Sequence, residues 1–336
     1  MKRLLICLPL LVSAAACSSD TKGAGGGQGS AVSLSGLLAH VPDTAANREH
    51  AILYSDLTRL RDGTHAGSAA DDVSLLGEAS SGEFYLPSTL GSGIGDPTFA
   101  EYTGFDTRDI DATLEFGVLP DGMSIVVGDV KAGSVKKGLL SSPGGDDLQS
   151  EKVDGVTFFA LGEEGSIDIE HRSVIRGLGQ PLRMAIDGNT LYWGRSRAAI
   201  DACVAAGGGT SLADDANYSA VAARLDAAQV VNGALFSPRA GEPWTVGGLG
   251  EAFDGETSTV TVVLQYGTPA MAAAAATAFT AHVQQDESLR TNGPWADILT
   301  VTDAHADGTM MVATLASTQP GVAFDVLQAQ DNLLQF

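Results

Sequence analysis

The chain has 336 residues, with 41 acidic side chains against 19 basic ones and a formal charge of −22. No basic patch breaks that excess, which excludes a nucleic-acid binder and argues against flat adsorption to anionic lipid, a contact driven by polybasic segments. The cysteines are Cys7, Cys17 and Cys203, with no CxxC or Cys/His spacing, so neither a disulfide framework nor a zinc site is expected.

In chain order, Lys2 and Arg3 form a charged start, Leu4 to Val12 an apolar run, and Ser13-Ala14-Ala15-Ala16 leads into Cys17. The run is shorter than the ~20 residues a membrane-spanning helix needs, so residues 1–16 read as a signal peptide. The Ala16-Cys17-Ser18 border resembles the lipoprotein signal of bacteria, with Ala14 where Leu is usual. That resemblance implies a lipid, palmitate included, on Cys17 and an anchor at the outer face of the cell membrane, or at the outer membrane of a Gram-negative source. The alternative is ordinary secretion, with cleavage after Ala16 leaving a free Cys17. Without Lys2 and Arg3 the 19 basic residues become 17 against 41 acidic, a charge of −24. Residues 17–35 are the lipidated cysteine and a Gly/Ser-rich spacer that stands the folded part off the membrane. Its Gly25-Gly26-Gly27 lacks the Lys-Ser/Thr of a phosphate loop, and no cofactor is expected.

From residue 36 short apolar strands alternate with Ala-rich helices. Ala51–Tyr54 reads as a strand and Asp56–Arg61 as a helix; residues 62–104 look irregular. Asp106 then caps a helix reaching Phe116. Met123–Val130 is a strand, Ser134–Leu140 a helix and Val156–Leu161 a strand. Leu182–Ile186 and Leu191–Trp193 form a hairpin on Asp187-Gly188-Asn189. A helix at Arg195–Ala206 ends in three glycines. The order recurs: strand Thr257–Tyr266, a helix from Pro269 to about Gln285, a hairpin of Ile298–Ala304 and Met310–Ala316 on Asp307-Gly308, and a last helix over Gly321–Leu334. A lone strand, Ala51–Tyr54 or Val230–Phe236, precedes each run. The expected fold is α+β: two diverged copies of a mainly antiparallel sheet with helices on one face, over residues 36–225 and 226–336.

The run Asp187-Gly188-Asn189-Thr190-Leu191-Tyr192-Trp193-Gly194-Arg195-Ser196, followed by Ala198-Ala199-Ile200-Asp201 and Gly207-Gly208-Gly209-Thr210-Ser211-Leu212-Ala213-Asp214-Asp215, resembles a family of exported bacterial envelope proteins of unknown function. The likeness spans residues 105–225, Asp109–Gly122 included, and implies a fold grouping without an activity. High Ala, Gly and Asp with six Lys suggests a GC-rich, actinobacterium-like source.

Gly194-Arg195-Ser196-Arg197-Ala198 approaches the nucleophile elbow of hydrolases, but the strand before it comes from a tight hairpin, and Ser196 is better read as a helix cap. Ser134-Val135-Lys136-Lys137 matches S-x-x-K without S-D-N or K-T-G, and so does Ser19-Asp20-Thr21-Lys22; Ser134 also reads as a cap. Asp106, Asp109, Asp111 and Glu115 lack calcium-loop spacing and suit an acidic first helical turn. The metal candidates are Asp303, His305 and Asp307, placed at every second residue. Parity with Leu299 and Val301 turns them to the core, whereas aligning the two Asp-Gly turns matches them to Arg183, Ala185 and Asp187 on the solvent side. These readings favour a non-catalytic binding or assembly module with an envelope protein or apolar ligand as partner. An envelope hydrolase and a carrier of an apolar ligand are the alternatives.

Overall fold

Six consecutive residues, Met123–Gly128 (β3), are buried without exception. Such a strand needs cover on both faces, and the computed structural model, which describes residues 32–64, 87 and 96–336, supplies it. Twelve strands form one antiparallel sheet. They are β1 (Ile52–Asp56), β2 (Ile110–Phe116), β3, β4 (Gln149–Val153), β5 (Val156–Leu161), β6 (Leu182–Asp187), β7 (Thr190–Gly194), β8 (Asn232–Phe236), β9 (Trp244–Phe253), β10 (Ser258–Tyr266), β11 (Leu299–Asp307) and β12 (Met310–Ser317). Their order in space is β11-β12-β10-β9-β8-β1-β2-β3-β7-β6-β5-β4.

The α-helices among the described residues are α1 (Leu34–Leu37), α2 (Ala45–Glu49), α3 (Leu57–Thr64), α4 (Thr98–Thr103), α5 (Ala132–Ser141), α6 (Arg197–Ala206), α7 (Ala216–Ala227), α8 (Pro269–Gln285) and α9 (Val322–Gln328). On one face α1, α6 and α7 bury Ile125, Tyr192, Val221 and Val263. On the other, α3, α4 and α5 pack with Val126, Leu191 and Trp193, while α8 and α9 pack with Val262, Leu264 and Ala313. The expectation of helices on one face is therefore corrected. Leu182 and Met184 alternate with Arg183 and Ala185, yet all four are buried, because each side of the strand meets its own layer.

The expectation of two sheets is corrected as well. Residues Ala31–Phe336 make one compact unit, and β1 pairs with β8 through Ile52↔Leu235 to Ser55↔Asn232, across the expected boundary at residue 225. On one side of that pairing the order is β1-β2-β3-β7-β6, and on the other β8-β9-β10-β12-β11. The hairpin β4–β5 extends the first side only. The closing helices differ: α6 packs on the face of Ile125, α9 on that of Val262.

Residues 110–116, expected as helix, form β2. Asp106 caps only a short 3-10 turn, Thr107–Asp109, in a reciprocal capping box with Asp109. Ile110, Ala112, Leu114 and Phe116 fall on every second position, and three of them join one cluster. Lys131, not Ser134, holds the N-cap position of α5. The signal peptide, Cys17, residues 18–31 of the spacer, the S-x-x-K match at Ser19 and most of residues 62–104 lie outside the described residues. The spacer's expected end at residue 35 is corrected: Ser33 caps α1, Leu34 is buried, and the Leu34 and Ser35 N–H groups donate to Asp226 of α7.

Candidate functional site: a cleft at one end of the sheet

Three segments meet where β2 ends, β3 begins, β6 begins and β7 ends. They are the 117–122 turn, the 162–181 loop and residues 194–195 leading to α6. Between them lies a cleft of about 370 Å³. Trp193, Leu182 and Ile175 are its buried apolar lining, and Trp193 stacks on Phe99 of α4 with centroids 6.5 Å apart and planes within 6°. Glu115, Ser124, Gln180 and Arg195 add polar groups, and Leu119 and Leu178 border it.

The 162–181 loop is fixed by two arginines. Arg176 is buried, its Nε donating to Gln180 O at 2.8 Å and its Nη2 to Gly179 O at 3.1 Å. Burial pulls the Arg176 pKa down, and the Asp168 carboxylate opposes that shift. Arg183 spends its guanidinium on the loop's base: Nη1 donates to Leu161 O at 3.1 Å and Leu182 O at 2.9 Å, Nη2 to Gly162 O at 3.0 Å, and Nε to Glu164 at 3.0 Å. The same Glu164 oxygen accepts the Arg197 N–H at 2.8 Å, tying the loop to the start of α6. At the surface His171 Nδ1 meets Asp168 Oδ2 at 2.6 Å, a contact that lowers the Asp168 pKa and raises that of His171.

The sequence-derived candidates lie elsewhere. The β11–β12 register shifts between Val301 and Asp303. That bulge flips the phase of the strand. Leu299 and Val301 pack with the α8 layer, whereas Asp303, His305 and Asp307 turn to the opposite side. The alignment of the Asp-Gly turns matches that side, but its reading of Arg183 and Ala185 as solvent-facing is corrected, since both are buried. Asp303 Oδ2 lies 2.8 Å from His305 Nδ1, while Asp307 is engaged by Arg224 of α7. The three do not converge, and among the described residues no group of three or more His, Cys, Asp or Glu side chains could hold a metal. Ser196 caps α6, its Oγ accepting the Ala199 N–H at 3.3 Å. Cys203 lies on the buried face of that helix, and burial pushes its thiol up to about 12. At the β1–β8 junction the space bounded by Leu53, Gly233, Leu249 and Ala323 is about 10 Å³, too small for a ligand.

Of the cleft residues, Glu115, Trp193, Gly194 and Arg195 stand out in the sequence only for other readings, and the 174–181 wall does not stand out at all. Isolated among 174–182, Ile-Arg-Gly-Leu-Gly-Gln-Pro reads as a loop, and only the fold sets it against Trp193.

No family model matches the chain, and no curated protein does. Among solved structures, three crystal forms of TP0453 align with 86–87% of this chain and 95–97% of theirs, at 9–10% identity and TM-scores of 0.40–0.42. A likeness that loose carries no argument for function.

Proposed function

We propose that the chain is an exported lipoprotein, held by a lipid on Cys17 at the outer face of the membrane, that acts as a non-catalytic binding or assembly module of the cell envelope. The observation that carries this reading is the cleft of about 370 Å³, which combines the apolar Trp193, Leu182, Leu119 and Leu178 with Glu115 and Arg195. Apolar walls with a few polar groups are the usual make-up of a ligand pocket, and the volume lies within the common range. The loops around it stand on a rigid sheet, the arrangement in which binding residues are held in place.

A photocrosslinking side chain at Gln180, which lines the cleft, tests this in envelopes of the expressing cells. The expected result is a discrete adduct from position 180, weakened by Arg195→Glu, and none from exposed Lys136 on α5. The same adducts from both positions would contradict it.

The matching orders β1-β2-β3-β7-β6 and β8-β9-β10-β12-β11 also support an origin by internal duplication. On that reading β4–β5 is an insertion in the first copy and the closing helix has moved to the other face in the second.

A further inference from the structure

Five large aliphatic side chains stand out from two neighbouring loops at the mouth of the cleft. Val118 and Leu119 tip the β2–β3 turn, and Ile167, Ile169 and Leu178 project from the 162–181 loop; each exposes between 54% and 68% of its surface. Their proximity follows from two contacts. Leu119 and Leu178 border the same cleft, and Asp168 N–H donates to Gly179 O at 3.0 Å, which sets residues 167–169 beside 178–179. The buried Arg176 holds Gly179 and Gln180 from beneath, so the backbone that displays these side chains is fixed. Contiguous exposed apolar surface on a soluble domain marks an interaction site.

We propose that these loop tips dock on the uncharged, zwitterionic surface of a lipid bilayer. Three observations select that occupant. The tips are all aliphatic and protrude from separate loops, whereas the anchors of protein interfaces are enriched in Trp, Tyr and Arg seated in pockets. Shallow burial at the headgroup boundary grows with the apolar area inserted, and aliphatic tips without a basic patch offer that contribution. Asp121, Glu163, Glu164 and Glu170 surround the tips in the sequence, and a chain carrying 41 acidic residues is repelled by anionic lipid. Finally, the structure is described from Val32, and the 15 residues from Cys17 to Ala31 can span at most about 50 Å. A lipid on Cys17 would keep the tips at high effective concentration near the bilayer. The docking rests on the proposed anchor for that setting only, and its test leaves the anchor out.

The chain carrying Cys7→Ser and Cys17→Ser is mixed with phosphatidylcholine vesicles at millimolar lipid and sedimented, beside the same chain with Leu119→Ser, Ile169→Ser and Leu178→Ser. The three positions are exposed, so circular dichroism should coincide. The expected result is co-sedimentation that the triple substitution weakens at least about tenfold, and that falls when a third of the lipid is phosphatidylglycerol. No co-sedimentation, equal partition of both chains, or tighter binding to phosphatidylglycerol would overturn the proposal. So would lipid-free dimerisation in sedimentation velocity that the triple substitution abolishes, since the patch would then face a second copy. An unmodified Cys17 in the native protein would remove the anchor and leave this result standing.

Discussion

Gly248 of β9 lies directly beneath Val221 of α7: a Cβ added to the glycine would sit 2.5 Å from Val221 Cγ1. Its neighbour Gly250 meets Val230 in the same way, at 2.7 Å. Gly248 lets α7 approach the sheet closely, and Gly250 leaves room for Val230 of the segment between α7 and β8. Gly248→Val should therefore destabilise the fold by overpacking, by about 1–3 kcal/mol, read as a lower urea midpoint. An unchanged midpoint would show that α7 can shift away without loss.

The carboxylate of Glu251, one residue beyond Gly250, is buried and accepts from Ser258 Oγ, from Gly321 N–H at 2.8 Å and from Ala323 N–H at 3.3 Å. Burial raises its pKa above the ordinary 4.5, against the pull of those donors. A carboxyl whose folded pKa is raised binds its proton more tightly in the folded state, so its contribution is full below the unfolded value and declines as pH rises through the folded one. Glu251→Gln removes the titration. The stability of the variant relative to wild type should rise between pH 4.5 and neutrality, measured by urea unfolding at several pH values. A pH-independent difference would contradict the raised pKa.

Ser196 separates the binding reading from the hydrolase alternative. As a cap accepting the Ala199 N–H, it should cost about 1 kcal/mol when changed to Ala, and crosslinking from position 180 should persist. Loss of a measurable hydrolytic activity in Ser196→Ala, with stability unchanged, would instead mark a nucleophile.

Cys203 should be inert. Its thiol is buried, with its pKa pushed up to about 12, so almost no thiolate exists at neutral pH. Cys203→Ala should retain the fold at a cost of about 1 kcal/mol, and a thiol reagent should label wild-type Cys203 only after denaturation. Rapid native labelling would count against that burial.

The parts of the fold that the sequence displays are those settled by local chemistry. The helix Pro269–Gln285 has a Thr268 cap, Pro at its first turn and an Ala-rich body, and it forms with the expected bounds. Both Asp-Gly hairpins form as expected, because Gly188 and Gly308 supply the positive φ their turns need. The failures have a tertiary cause. Trp244–Phe253 is left without an assignment in the sequence, because Val-Gly-Gly-Leu-Gly has no strand signature of its own and gains one only where α7 presses on it. Gln149–Val153 is exposed at every position, and an edge strand without a core face has no hydrophobic signature. In Ile110–Phe116 the acidic Asp109, Asp111 and Glu115 suggested a helix start, while the period-two row of apolar residues decided for strand. The cleft was the least legible feature, because Glu115, Arg176 and Trp193 come together only through the β2-β3-β7-β6 pairing. The bulge at Thr302 likewise sets the side to which Asp303, His305 and Asp307 turn.

Mass spectrometry of the N-terminus of the protein purified from membranes of its own cells tests the central claim most directly. The account predicts a chain beginning at Cys17 and carrying a diacylglyceryl group, with Cys17→Ala releasing the protein into the soluble envelope fraction or the medium. A chain beginning at an unmodified Cys17, or one that keeps residues 1–16, would contradict it.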